Sequence, residues 1–198
     1  MADAADPVLN RIPFWYLRHG ETDWNAQNLS QGNIDIPLNA NGLAQARAAA
    51  NLLVGRGIAS IVASPLSRAR DTAAIVGEVL GLPVAIDDGL TEVAFGVQEG
   101  KPMGDWFADW IAGTATPDGA ETFAGLRARA AAAVNRATAC PPPVLVVAHG
   151  ALFRALRAAM GLEPNLRTRN GVPFWCAPGP IGAGWVLTPA EEGAALNF

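Results

Sequence analysis

Two apolar runs in this chain end in the same way, and that match limits the folds it can adopt. Phe14-Trp15-Tyr16-Leu17 stops at Arg18-His19-Gly20, and Val144-Leu145-Val146-Val147-Ala148 stops at His149-Gly150. Short unbroken apolar runs closed by turn residues suit strands buried on both faces, as in parallel sheets covered by helices. The chain has 2 histidines, each at the carboxyl end of such a run, where open α/β sheets bind their ligands. If the two strands are parallel neighbours, both imidazoles rise from one sheet edge and face each other across one small ligand. A lone histidine is more often a satisfied loop residue, but the matched pair points to a site. Gly20 lets the backbone turn and lie close to a ligand.

Between and beyond these runs the pattern alternates. Glu21 to Leu38, rich in Asn, Gln, Asp and Gly, reads as a loop over the top of the sheet. Asn39 or Asn41 can cap a helix from about Ala40 to Val54 with Leu43, Ala46, Ala50 and Leu53 on one face. Ile58 to Ala63 is a short strand. Ser64-Pro65 opens a helix that turns Leu66, Ala69, Ala73, Val76 and Leu80 inward, and Leu82 to Ile86 is a third strand. Two strand-helix-strand steps imply parallel pairing with right-handed crossovers. A short helix is expected around Asp105 to Ile111, an alanine-rich one from about Thr122 to Thr138, and another after Gly150 to about Met160. Val172 to Ala177 and Ala183 to Leu187, joined by Pro178-Gly179-Pro180, read as a hairpin at the sheet edge.

Composition excludes several partners. The chain is 51% hydrophobic and 16% charged, without a shift that marks a linker, so residues 1–198 are expected to form a single domain. A net charge of −4 and a pI near 5.1 speak against nucleic acid or an anionic membrane, yet allow a small anion held by a few arginines. Cys140 and Cys176 are too few and too far apart for a disulfide framework or a metal cluster, so reduced thiols in a cytoplasmic protein are expected. Met1 to Arg11 lacks the pattern of a secretory signal, and no apolar stretch approaches the ~20 residues that span a bilayer. The edge hairpin and any exposed tryptophans offer a surface on which two subunits could pair as a homodimer.

Arg18-His19-Gly20-Glu21-Thr22 with Trp24-Asn25, then Ser64-Pro65-Leu66-Ser67-Arg68-Ala69, then Ala148-His149-Gly150, resembles the histidine phosphatase superfamily, the phosphoglycerate-mutase-like proteins. The resemblance covers the chain almost end to end. It implies a three-layer α/β/α sandwich around a mostly parallel, mixed six-stranded sheet, with the first and fourth strands side by side. It also implies hydrolysis of a phosphomonoester through a phosphohistidine. His19 matches the nucleophile and His149 the second histidine of the phosphate pocket. Forked arginine donors suit non-bridging phosphoryl oxygens, and Arg18 and Arg68 should keep the His19 imidazole neutral, with its lone pair available. The segment from Leu90 to Gly100 resembles the one that carries the proton donor, which makes Glu92 the candidate acid; like charge from a bound dianion favours its protonated form. Asp87 and Asp88 read as turn residues and Glu99 as structural. Asn25 matches a position that donates to the phosphoryl group, and Gln31 and Gly32 fall at a comparable contact. Gly150 belongs with His149 in the expected phosphate-binding set. Leu29 stands where many relatives carry arginine. No cofactor and no metal are implied, since two histidines from distant strands without convergent cysteines or carboxylates do not make a zinc motif.

Two other readings compete with hydrolysis. In the phosphoglycerate mutase branch an arginine follows the catalytic glutamate and an insert adds basic residues for the substrate carboxylate. This chain has Val93 there and offers only Lys101 between Glu99 and Pro117. That stretch instead brings Trp106, Phe107 and Trp110, either as an apolar lid or as a cover for the core. The third reading is an inactive phospho-ligand or protein-binding module, against which every proposed catalytic position holds a competent residue.

Overall fold

A computed structural model describes residues 8–180, 183–191 and 193. Its elements, in chain order, are β1 (Phe14–Arg18), α1 (Asp23–Ala26), α2 (Ala40–Leu53), β2 (Ser60–Ala63), α3 (Ser67–Leu80), β3 (Val84–Ile86), α4 (Trp106–Ala112), α5 (Phe123–Ala137), β4 (Val144–Ala148), α6 (Gly150–Ala159), β5 (Pro173–Pro178) and β6 (Trp185–Pro189). The strands form one six-stranded sheet in the order β3-β2-β4-β1-β5-β6. The first four in that order are parallel, and β5 and β6 add an antiparallel pair at one edge.

Strand alternation sorts the apolar side chains into two cores. Trp15, Leu17, Ile61, Leu145 and Val147 pack with Ala49, Ala50 and Leu53 of α2 and with Ala73 and Val76 of α3. Phe14, Tyr16, Val62, Val144 and Val146 face the opposite layer, where α4, α5 and α6 supply Trp110, Leu126, Val134, Leu152 and Phe153. Every residue of β1 and of β4 is buried. At roughly 1.5–3 kcal/mol for each large apolar side chain removed from water, these two strands anchor the sheet.

Several local expectations shift. Glu21 to Leu38 is not all loop: Thr22 and Asn25 form a reciprocal capping box that starts α1. Asn39 caps α2, its Oδ1 accepting from Gly42 N at 2.8 Å. Leu43, expected inside, is 37% exposed, and Gly42 takes the buried place. The reason is a close backbone crossing. A Cβ on Gly20 would lie 2.3 Å from Gly42 O, and one on Gly42 would lie 2.1 Å from Glu21 O. The first turn of α2 therefore rests directly on the backbone that follows β1, and Gly20 is small because of that contact. α3 starts at Ser67 rather than at Ser64, with its first turn capped from outside: Asp35 Oδ1 accepts from Ser67 N at 2.8 Å and from Ser67 Oγ at 2.7 Å. Among the described residues no helix is long and apolar enough to cross a membrane.

Gly20→Ala should destabilise the fold by about 1–3 kcal/mol, the usual cost of overpacking a rigid contact. Urea unfolding would read this as a lower midpoint at unchanged slope; an unaltered midpoint would mean that the two backbones separate at no cost.

Candidate active site

The parallel register of β1 on β4 pairs Arg18 with Ala148, so the next residue of each strand is a histidine. His19 N donates to Ala148 O at 3.0 Å. The two imidazole rings lie with centroids 5.2 Å apart, and both are buried. His19 Nδ1 is 2.7 Å from Gly20 O. A carbonyl only accepts, so Nδ1 carries the proton and Nε2 keeps the lone pair. His149 Nε2 is 2.7 Å from Ser64 Oγ, and Ser64 Oγ already accepts from Leu66 N at 3.3 Å. When the serine hydroxyl donates to Nε2, the second imidazole's proton lies on Nδ1, a buried atom without a protein partner. Tyr16 OH donates to His149 O at 2.8 Å and fixes the end of β4 from the sheet side.

Two buried arginines flank this pair. Arg18 Nη1 donates to Thr168 O at 2.5 Å, and Gly150 gives its guanidinium room: a Cβ there would lie 3.2 Å from Arg18 Cζ. Arg68, in the first turn of α3, donates from Nη1 to Ile34 O at 2.9 Å and from Nη2 to Gly32 O at 2.8 Å. The Nε of each arginine is buried and unpartnered by protein. Thr72, one turn along α3, joins the pieces by accepting from Gly20 N at 3.0 Å and donating to Arg68 O at 2.7 Å. Burial, then the charges of Arg68 and Arg18, hold His19 well below the ordinary histidine range. Burial, followed by Arg68 and His19, does the same to His149.

Glu92 reaches the site from the segment after β3. Its Oε1 accepts from Val93 N at 3.0 Å and Leu152 N at 2.9 Å, and its Oε2 from Ala151 N at 2.9 Å. The carboxylate thus caps the amino end of α6. Arg129 of α5 holds the backbone that carries it, with Nη1 donating to Gly89 O at 2.9 Å and to Thr91 O at 2.6 Å while the fork grips Glu121. The competing carboxylates are engaged elsewhere. Asp87 pairs with Arg136 at 2.7 Å and accepts from Gly89 N, and Glu99 Oε1 accepts from Asn33 N and Phe95 N.

Arg18, His19, Asn25, Gln31, Gly32, Arg68, Glu92 and Gly150 all line one cleft of about 270 Å³, whereas His149 is not among the lining residues and packs against His19. Asn25 Oδ1 accepts from Thr22 N, Thr22 Oγ1 and Asn170 Nδ2, which turns its amide nitrogen outward as a donor. Gln31 Oε1 is buried without a protein partner. Of the aromatic trio, Phe107 lines the cleft beside Phe95, whereas Trp110 is fully buried in the core. Ser64, Thr72, Arg154, Arg167 and Thr168 were not expected. Ser64 directly follows a strand beside β4, and Arg154 lies one turn after Gly150 on the same helix face, so both carried a positional signal. Among the described residues, no group of three or more His, Cys, Asp or Glu is placed to hold a metal.

Both histidines being buried and neutral has a consequence for stability. In the unfolded chain each takes up a proton below about pH 6.5, whereas in the fold each resists until a much lower pH. The unfolded state then binds more protons, so stability falls as pH drops from about 6.5 towards the folded values, by up to ~1.4 kcal/mol per pH unit per histidine. Urea midpoints measured near pH 7 and near pH 5 should show this loss, with a smaller one in His149→Asn; equal losses in both proteins would contradict a neutral, buried His149.

Comparison with known proteins agrees with this geometry. The profile of the histidine phosphatase superfamily (branch 1) matches residues 14–173. A probable phosphoglycerate mutase of Yersinia enterocolitica is 36% identical over 208 residues, covering 94% of this chain and 96% of its own. An uncharacterized phosphatase of Bacillus subtilis is 38% identical over 159 residues, covering 77% of this chain and 79% of its own. Among solved structures, a mycobacterial glucosyl-3-phosphoglycerate phosphatase in complex with VO3 superposes with a TM-score of 0.79 at 33% identity, covering 90% of this chain and 98% of its own. With strand order, paired histidines and family profile in agreement, this chain belongs to the histidine phosphatase superfamily.

Proposed function

We propose that the protein hydrolyses small phosphomonoesters through a phosphohistidine formed on His19. The observation that carries this reading is the bond from His19 Nδ1 to Gly20 O, which leaves Nε2 as the nitrogen with a free lone pair on an imidazole that shares the cleft with Arg18 and Arg68. The cleft volume, about 270 Å³, falls just below the range of about 300 to 1,000 Å³ usual for ligand pockets, and this favours a small ester over a folded phosphoprotein. Phosphatases among the relatives, including the mycobacterial enzyme solved with VO3, support the same chemistry.

In the first step the Nε2 lone pair forms a bond to phosphorus while the ester P–O bond breaks. The electron pair of that bond leaves with the alcohol oxygen, which takes the proton of Glu92. The unpaired Nε of Arg18 and Arg68 and the Nδ1–H of His149 meet the non-bridging oxygens, where negative charge gathers. In the second step water attacks phosphorus, Glu92 takes its proton, and the N–P pair returns to His19, releasing inorganic phosphate. Glu92 suits both directions. Its Oε2, with one backbone partner against two for Oε1, is the atom to which this reading assigns the proton.

Brief exposure to a phosphodonor should place acid-labile, base-stable phosphate on the protein, and His19→Ala should abolish it. Unlabelled protein that turns over no phosphate ester would favour the binding-module reading. The mutase reading, kept open by the Yersinia relative, requires interconversion of phosphoglycerate isomers without release of inorganic phosphate. Glu92→Gln should lower kcat for esters of poor leaving groups by about 10²–10⁴-fold and affect nitrophenyl phosphate less, because nitrophenolate leaves without a proton. Equal losses on both substrates would remove Glu92 from the acid role. Arg68→Leu removes the larger of the two charges that keep His19 neutral, so its imidazole should titrate at higher pH by nitrogen NMR, and the acidic limb of kcat/KM should move up with it.

A further inference from the structure

Glu92, the candidate acid, stands on a stretch of chain that no strand holds. Between β3 and α4 the backbone makes one 3-10 turn at Asp88–Leu90 and then runs irregularly past Glu92. The amino end of α6 grips the carboxylate, but bonds to the side chain leave the backbone beneath it to be fixed by something else. That support comes from α5. Arg129 Nη1 donates to Gly89 O at 2.9 Å and to Thr91 O at 2.6 Å, while its Nε and Nη2 fork onto the Glu121 carboxylate at 3.0 and 2.6 Å. The Thr91 carbonyl belongs to the peptide bond that leads into Glu92. On the other side of the acid, Glu121 N donates to Ala94 O at 2.9 Å. One ion pair therefore holds the chain both before and after Glu92, and Trp110 Nε1 steadies it by donating to Glu121 O at 2.8 Å. Arg129 itself does not line the cleft. Leu126, Ala130 and Val134 of α5 share a core with Leu152 and Phe153 of α6, so the helix that grips the carboxylate is packed on the helix that grips the backbone.

The geometry points to Arg129, braced by Glu121, as a positioning residue for proton transfer: it sets where the Glu92 carboxyl stands relative to the alcohol oxygen that leaves. This rests on hydrolysis with Glu92 as the acid, as proposed above. A guanidinium suits the task because its planar fork binds two carbonyls and a carboxylate at once, whereas a lysine ammonium is a point charge on a flexible stem. Proton transfer demands hydrogen-bond reach, and a displacement of about 1 Å caused by a residue remote from the chemistry can cost on the order of 10²-fold in rate.

Steady-state kcat/KM includes the step in which the alcohol leaves, so propyl phosphate and nitrophenyl phosphate separate help to the leaving group from other contributions. Arg129→Met in the full-length protein should lower kcat/KM for propyl phosphate by about 10–10²-fold, and for nitrophenyl phosphate by less than about threefold. Across esters of graded alcohol acidity, kcat/KM should depend more steeply on leaving-group pKa, as it should in Glu92→Gln. In the Glu92→Gln background, Arg129→Met should cost less than about threefold on either ester, because the proton it positions is gone. Arg129→Lys should recover part of the propyl phosphate rate. Glu121→Ala leaves both carbonyls within reach of Arg129 and should show the same leaving-group pattern at smaller size; it decides the matter where circular dichroism finds Arg129→Met unfolded. Equal losses on both esters in the folded variants, or effects that multiply in the double variant, would make the clamp purely structural and overturn the proposal. Failure of the hydrolytic reading is distinct, as absent phosphohistidine and absent phosphate release from the unsubstituted protein. Failure of Glu92 as the acid would show as equal losses on both esters in Glu92→Gln alone. Either would take this proposal with it, and each is recognised without any variant at Arg129.

Discussion

Everything at the site follows from how β1 registers against β4. Parallel pairing of Arg18 with Ala148 sets His19 and His149 side by side at the same sheet edge. A slip of one residue would turn every side chain of β1 to the other face, exchanging Tyr16 and Leu17 between two differently shaped cores. Burial of all ten residues in the two strands makes that slip prohibitive. Neighbouring strands and helices then add to a fixed edge: Ser64, just after β2, bonds His149, α3 contributes Arg68, and α6 begins where β4 ends.

Charge is handled differently at the two ends of the cleft. At the floor, cations and neutral imidazoles are sunk in protein, where each remaining donor interacts with an oxyanion far more strongly than it would in water. The arrangement depends on supporting groups that never touch a substrate. Ile34 and Gly32 carbonyls hold Arg68, the Thr168 carbonyl holds Arg18, and Arg129 clamps the backbone ahead of Glu92. At the mouth the arginines are half-buried, Arg154 against the Phe107 ring and Asn165, and Arg167 on the Asn28 amide.

How much of this was legible in the sequence follows physical lines. β1 and β4 could be read because strands buried on both faces are unbroken apolar runs, and the two histidines stood at their ends. The edge hairpin and the long helices were visible for the same reason of periodicity. The inward face of α2 was misjudged because Gly42 displaces Leu43, a choice forced by a backbone crossing with no signature in hydrophobic pattern. The cap on α3 comes from Asp35, distant in the chain, and so escapes any local rule. Arg167 and Thr168 lie in an irregular stretch whose path is set by the carbonyl that Arg18 needs, and no spacing announces that. Phe107 and Trp110 differ in role although both are apolar residues of α4, because the short helix turns one towards the cleft and the other into the core.

The bond between His19 Nδ1 and Gly20 O spans neighbouring residues of one chain segment. The orientation of the His19 imidazole is therefore set locally, apart from the walls formed by Phe95, Met103, Phe107, Arg154 and Arg167. Those walls are free to vary in descent without turning the imidazole. A scaffold divided in this way can change the ligand it accepts in a few substitutions, which fits relatives of one fold that bear the names of different enzymes.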